Sequence, residues 1–240
     1  MSEIDEIVRE KIAQIWEFEI LAKFPLAKPA RNPIGVVLGG QPGASKATLI
    51  KKAAERLNGD IIAINGDAFR RYHPHYAKFQ REDARNSAAM TAEFAGKMVE
   101  MVLAKSIENR YNVVIEGTFR TAATPLKTLT KFKENGYETA VLLQICDRKL
   151  SWNSCVERFE KAQKIDPKAA RATRKQDHDI VIQNLALNAL AVYESGLADK
   201  FCVFGRFFDG ENMQIRELFE SQKSQNLSAR MIQNILDGNS

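Results

Sequence analysis

An α/β fold, with a doubly wound, mostly parallel sheet and helices on both faces, is predicted by three observations. Short apolar runs alternate with longer segments of helical period along most of the chain. The first run to lead into a loop of this kind, ending at Leu38, passes through GGQPGASK into a helical segment, an order that presents backbone N–H groups and a cation to phosphate. Polar residues then stand just past the carboxyl ends of successive runs, where open parallel sheets bind their ligands.

Taken in order, Ile4, Val8, Ile12 and Ile15 recur at helical spacing with Glu and Lys between them, which predicts an amphipathic helix over residues 3–24. Whether its apolar stripe packs on the chain's own core or meets a partner is open at this point. Pro25, Pro29 and Pro33 break the pattern and mark a linker, so residues 1–33 are set apart from a domain at 34–240. Gly35 to Leu38 is the first strand, Ala47 to Leu57 the helix after it, and Ile61 to Ile64 a second buried strand. A polar loop is expected over 65–80 and a long helix over 83–109, with Phe94, Met98, Met101 and Val102 on one face. Asn112 to Ile115 is the third strand. Pro125 in a first helical turn and Gly136 at the end delimit the next helix, and Tyr137 to Ile145 is the fourth strand. Helices are expected over 150–165, stopped by Asp166-Pro167, and over 177–195. Phe201 to Phe204 is the fifth strand, Asp209-Gly210 a hairpin turn at the sheet edge, and 227–236 a short last helix.

Composition narrows the class of function. With 240 residues, 45% of them hydrophobic, the chain buries a full core. A formal charge of +5, from 35 basic and 30 acidic residues, suits an anionic small molecule and is modest for a nucleic-acid binder. No apolar run approaches the ~18 residues of a membrane span, so neither nucleic acid nor membrane is an expected partner. Cys146, Cys155 and Cys202 are widely spaced and read as reduced thiols of a cytoplasmic protein. His73 and His75 lack neighbours at metal-ligand spacing.

The phosphate-binding pattern G-x-x-x-x-G-K-[ST] aligns on Gly40, Gln41, Pro42, Gly43, Ala44, Ser45, Lys46 and Ala47, with Thr48 following. Ser45 stands where the second glycine belongs, and Ala47 replaces the hydroxyl that holds magnesium. Thr48 lies about 100° further round the helix and does not inherit that contact. Lys46 is the candidate cation for phosphates, against an ordinary glycine turn with an exposed lysine. Asp67, just past strand two, is a candidate general base for a substrate hydroxyl, or else a turn or N-cap aspartate. Glu116 and Thr118 close strand three. A carboxylate there holds a sugar hydroxyl or organises magnesium, or is a solvated loop acid. Arg158 and Arg171 flank Asp166-Pro167 and suit the charge that develops in phosphoryl transfer, although surface arginines are common. Metal ligands stay unassigned.

Four segments, GGQPGASK at 39–46, INGDAFRRYHPHY at 64–76, VIEGTFRT at 114–121 and RATRKQDHDIVIQNL at 171–185, together resemble the zeta-toxin family of toxin–antitoxin systems, over about residues 34–208. The resemblance implies a P-loop kinase-like domain at 34–240 that uses ATP and Mg2+ to phosphorylate the 3′-hydroxyl of the amino sugar of UDP-N-acetylglucosamine. It also implies a small helical antitoxin covering the nucleotide site, with the N-terminal helix as a possible part of that interface. On this resemblance Lys46 serves the ATP phosphates within the loop 40–48, Asp67 is the base, and Arg158 and Arg171 surround the γ-phosphate. Glu100, Glu116, Thr118 and Arg120 become contacts to the UDP-sugar. For Glu100, a mid-helix residue, and for the substrate role of Thr118, the resemblance is the sole ground. Family loops usually read Gly-Lys-Thr or Gly-Lys-Ser at 45–47, and often carry glycine where this chain has Phe119. Two rivals stay open: a kinase of the same fold acting on another hydroxyl, and a nucleotide-binding relative with weak or no turnover.

Overall fold

The computed structural model describes residues 2–84, 86–166, 170–210, 212–223 and 226–239. Its strands are β1 (Ile34–Gly39), β2 (Ile62–Ile64), β3 (Val113–Glu116), β4 (Glu138–Ile145), β5 (Lys200–Asp209) and β6 (Asn212–Glu220). They form one six-stranded sheet in the order β2-β3-β1-β4-β5-β6. The first five are parallel, and β6 runs antiparallel to β5. Strand order reverses on either side of β1, so the loop after β1 opens at the switch point where such sheets bind ligands. Register aligns the carboxyl ends: Leu38 pairs with Glu116, and Ile64 with Ile115.

Both faces of the central strands are covered, which is why they read as unbroken apolar runs. Val37, Val113 and Val141 point into one core layer with Met98 and Leu185, while Val36, Leu38 and Val114 point into the other with Leu49. The helices are α1 (Glu3–Ile15), α2 (Ala47–Arg56), α3 (Gly66–Phe69), α4 (Tyr76–Asp83), α5 (Ser87–Met90), α6 (Ala92–Glu108), α7 (Ala123–Glu134), α8 (Arg148–Ile165), α9 (Lys175–Glu194) and α10 (Ala229–Leu236). A reciprocal cap between Ser2 and Asp5 starts α1, which runs directly into a π-helical turn, Trp16–Leu21. Val8, Ile15, Trp16 and Ile20 join the larger core, and α1 packs on α6. The N-terminal stripe is therefore occupied by the chain's own core. Among the described residues no helix is long and apolar enough to cross a membrane.

Three expectations are corrected. Residues 65–80 are mostly helical: α3, a 3-10 turn at Arg70–Tyr72, and the start of α4. These pieces are too short and polar for a periodic apolar face to show, Phe69 being the one buried residue of α3. The helix expected over 83–109 breaks at Thr91, whose φ and ψ are −103° and 7°. The Thr91 hydroxyl donates to the Ser87 carbonyl and accepts from Arg70, a side-chain competition that disrupts the helix locally. The fifth strand is longer than expected, because its outer half pairs with β6 across Asp209–Asn212. The helix stop expected at Asp166-Pro167 falls partly outside the described residues: α8 ends at Ile165, and Pro167 is not among them.

Candidate active site

A cleft of about 740 Å³ opens at the carboxyl edge of β2 and β3, walled by α6 and the start of α7. Asn65, Asp67, Glu100, Glu116, Thr118 and Arg120 all line it. Asn65 organises the near wall. Its side-chain oxygen accepts from the Asp67 N–H at 2.9 Å and caps α3, while its amide donates to Glu116 Oε2 at 2.8 Å. The capping role considered for Asp67 thus belongs to Asn65, and the Asp67 carboxylate is left for other partners.

Those partners are arginines. Arg171 engages Asp67 with both Nη atoms, at 2.9 Å to Oδ1 and 2.6 Å to Oδ2, and Arg70 Nε donates to Oδ1 at 2.9 Å. A bidentate guanidinium fixes the carboxylate in orientation as well as in charge. Arg70 is itself held by the Ala88 carbonyl and Thr91, so the break between α5 and α6 serves this contact.

Lys46 is buried, and its ammonium turns back onto the Gly40 and Gln41 carbonyls at 2.9 and 3.1 Å, with Glu116 Oε1 at 3.6 Å. Burial lowers its pKa, Glu116 opposes that shift, and Arg158 adds to it. Arg171 follows the same logic: burial pulls its pKa down, the Asp67 charge resists, and Arg158 and Arg70 press it further. Arg158 does not line the cleft, and donates to Thr173 Oγ1 at 3.2 Å. Its reach is electrostatic, toward Lys46 and Arg171. At the far rim Glu100 receives Lys127 Nζ at 2.6 Å, a contact that holds its carboxyl below the usual range. Arg120 pairs with Asp177 at 3.4 Å.

The phosphate loop is tightly seated. A Cβ at Gly40 would stand 2.0 Å from the Gln144 carbonyl oxygen, and one at Gly43 2.0 Å from that of Ser151, so neither tolerates a side chain. Gln41 anchors the loop by donating to the Cys146 carbonyl at 2.6 Å, and Pro42 and buried Ala44 complete the turn. Lys46 precedes the first residue of α2, Ala47, which is exposed and offers no hydroxyl; Thr48 follows, half-buried. Ser45 and Phe119 have φ of +68° and +56°. Both positions where glycine was the family expectation therefore hold left-handed backbone, at a cost of roughly 1–2 kcal/mol each. Phe119 offsets the cost by burying its ring in the core, and Ser45 by a hydrogen bond from Arg206.

Asn65, Arg70 and Arg206 were not singled out in the sequence. Asn-Gly-Asp after a buried strand is a capping signal for the first. Arg206 announces itself as a charge inside the apolar run FCVFGRFF. Among the described residues, Cys202, Glu217 and Glu220 form a cluster of three possible metal ligands, but Lys200 and Lys223 already neutralise its carboxylates.

A phosphate loop at the switch point of a mostly parallel sheet, with Glu116 at the carboxyl end of β3 and Asp67 just past that of β2, defines a P-loop kinase-like protein. The family model described as Zeta toxin matches residues 19–224. The chain is 38% identical over 179 residues to Toxin PezT of Streptococcus pneumoniae serotype 4 (strain ATCC BAA-334 / TIGR4), covering 75% of this chain and 71% of that one. It is 30% identical over 217 residues to Toxin zeta of Streptococcus pyogenes, covering 88% and 76%. The chain belongs to the zeta-toxin family. A structure from the PezAT chromosomal toxin–antitoxin system of Streptococcus pneumoniae superposes with a TM-score of 0.80 at 30% identity, over 98% of this chain and 88% of that one. The AvrRxo1-ORF1:-ORF2 structure with ATP shares the fold at a TM-score of 0.63 and 13% identity, over 90% and 66%.

Proposed function

We propose that this chain is an ATP-dependent UDP-sugar kinase, the toxin of a cytoplasmic toxin–antitoxin pair, that phosphorylates the 3′-hydroxyl of the amino sugar in UDP-N-acetylglucosamine. Residues 34–240 form the kinase domain on this reading, and residues 1–33 its extension. The observation that carries it is the position of Asp67: one carboxylate, held by two arginines, between the phosphate loop and a cleft large enough for a nucleotide sugar.

The residues divide the work as follows. Backbone N–H groups of the loop 40–48 cradle the ATP phosphates, and Lys46 exchanges its carbonyl partners for phosphate oxygens. Asp67 accepts the proton of the sugar hydroxyl as that oxygen attacks the γ-phosphorus and the bond to the ADP oxygen breaks. Before it does so, at least one arginine bond to Asp67 yields. Arg171 moving toward the γ-phosphoryl frees the base and stabilises the transferred charge in a single displacement. Arg158 adds positive potential behind it. Glu100, Glu116, Thr118 and Arg120, all on the cleft wall, orient the UDP-sugar.

Magnesium fits as an ion brought in on the nucleotide. Glu116 and Asp67 offer carboxylate oxygens at the site, Ala47 offers none, and Mg2+ retains several waters and phosphate ligands in any case. Asp67 and Glu116 are the residues that would hold such an ion, which would supply charge neutralisation for the transferred phosphoryl group. The partner on this reading is a small helical antitoxin; that a partner antitoxin exists is supported by the relative from the PezAT toxin–antitoxin system.

The test is an acceptor panel: γ-labelled ATP with magnesium is incubated with UDP-N-acetylglucosamine, other UDP-sugars, nucleosides and small alcohols. Label moving to UDP-N-acetylglucosamine supports the proposal. Label moving to a different acceptor alone moves the chain to another substrate class, and no transfer to any acceptor contradicts the kinase reading.

A further inference from the structure

Ser45 adopts a backbone conformation that L side chains rarely take, in the middle of the phosphate loop. Its hydroxyl accepts a hydrogen bond from Arg206 Nη1 at 2.7 Å. Arg206 comes from β5, is 4% exposed, and reaches α8 with its other nitrogen, donating to Ser154 Oγ at 3.0 Å and to the Leu150 carbonyl at 3.4 Å. The guanidinium is thus wedged between the loop and the first turns of α8, against which Gly43 also packs.

This arginine is incompletely satisfied. Its hydrogen bonds among the described residues go to neutral acceptors, and buried Nε has no hydrogen-bond partner. The ring of Phe208 lies 5.9 Å from Cζ, and the buried Cys146 thiol is a further neutral neighbour. A buried cation is expensive without an anion, and the phosphate loop that Arg206 touches through Ser45 is a place built to receive one.

We infer that Arg206 is a positioning residue for nucleotide phosphates: through Ser45 it holds the loop in its left-handed turn, and its charge is completed by the phosphates bound there. The inference rests on the loop being a nucleotide site. In a glycine loop the turn forms because no side chain opposes it. Here the serine opposes it, and the hydrogen bond from Arg206 restores it. The pair Ser45–Arg206 thereby does in two residues what one glycine does in others.

Mg-ATP binding by calorimetry tests this with Ser45→Ala, Ser45→Gly, Arg206→Met and the double variant of the last two. Ser45→Ala keeps a Cβ in the left-handed turn but removes the acceptor, so it is expected to weaken ATP about tenfold, as is Arg206→Met. Ser45→Gly removes acceptor and Cβ together, and is expected to bind ATP at least about fivefold tighter than Ser45→Ala. Arg206→Met is expected to cost less in the Ser45→Gly background than alone, the signature of coupling. UDP-sugar affinity stays within about twofold throughout, which a general loss of structure would not allow. Should Arg206→Met fail to fold, the two substitutions at half-exposed Ser45 still decide. ATP affinity in Ser45→Ala equal to the unmodified chain, or in Ser45→Gly as weak as in Ser45→Ala, overturns the inference. An unmodified chain that binds no Mg-ATP overturns instead the nucleotide reading beneath it.

Discussion

At residue 47 a methyl group stands where a magnesium-binding hydroxyl is usual, and the consequence is quantitative. A metal held by nucleotide and water alone is less well oriented, so Ala47→Thr is expected to raise kcat/KM for ATP by roughly threefold to tenfold, about one hydrogen bond's worth. Steady-state rates over a magnesium titration check this, and an unchanged or lower value shows that Ala47 costs nothing. Phe119 presents the opposite case. Glycine there relieves the left-handed strain but removes a buried ring, so Phe119→Gly is expected to destabilise the chain by about 2–4 kcal/mol in urea unfolding, the core loss outweighing the strain relieved. Lys46, Asp67 and Glu116 stood out in the sequence because each lies at, or a few residues after, the carboxyl end of a strand. The role of Asp67 was not, because cap and base share the same local spelling. The structure gives the cap to Asn65 and the arginines to Asp67, which removes the capping reading and leaves the base role as the proposal.

Among the elements, the π-helical turn at Trp16–Leu21 has a specific duty. It buries Glu19, 3% exposed, whose carboxylate accepts from Tyr72 Oη at 2.7 Å and pairs with Arg71 and Lys23. Arg71 and Tyr72 belong to the 3-10 turn directly after α3, so the N-terminal segment braces the piece of chain that carries Asp67. Glu19→Gln keeps the shape and removes the charge, and is expected to cost about 1–3 kcal/mol in urea unfolding. A change below experimental error would mean the brace is idle. The brace itself was not visible in the sequence, where residues 65–80 were a polar loop and the stripe of the first helix was open between the chain's own core and a partner. Short polar helices leave no periodic signature, and a single buried carboxylate with partners more than fifty positions away leaves none either.

For the whole molecule, the doubly wound sheet was legible because its central strands are covered on both faces and therefore read as unbroken apolar runs. The edge was less legible: β6 is largely exposed, so its sequence lacks the apolar run that marked the others. Global stability also carries a pH dependence. Burial holds His73 and His178 below the ordinary imidazole value, with His75 adding to the shift in the first case. Around His178, Asp179 opposes the shift, while Lys175 and Arg148 support it. The unfolded chain therefore binds protons first as pH falls, so this contribution is complete above about pH 6.5 and declines as pH drops toward the folded values. Melting temperature is expected to fall between pH 7.5 and 5.5, and His178→Asn to flatten that slope. An unchanged slope would show that His178 does not contribute to the pH dependence.

Activation of a UDP-sugar hydroxyl by Asp67 is tested by single-turnover mass analysis. The protein, Mg-ATP and UDP-N-acetylglucosamine are mixed, and the nucleotide sugar is weighed over time. The expected product is a UDP-sugar heavier by one phosphoryl group, with Asp67→Asn binding ATP within a few-fold of the unmodified chain yet forming product at least about 10²-fold more slowly. Product formed equally fast by Asp67→Asn, or no phosphorylated UDP-sugar from the unmodified chain, would contradict it.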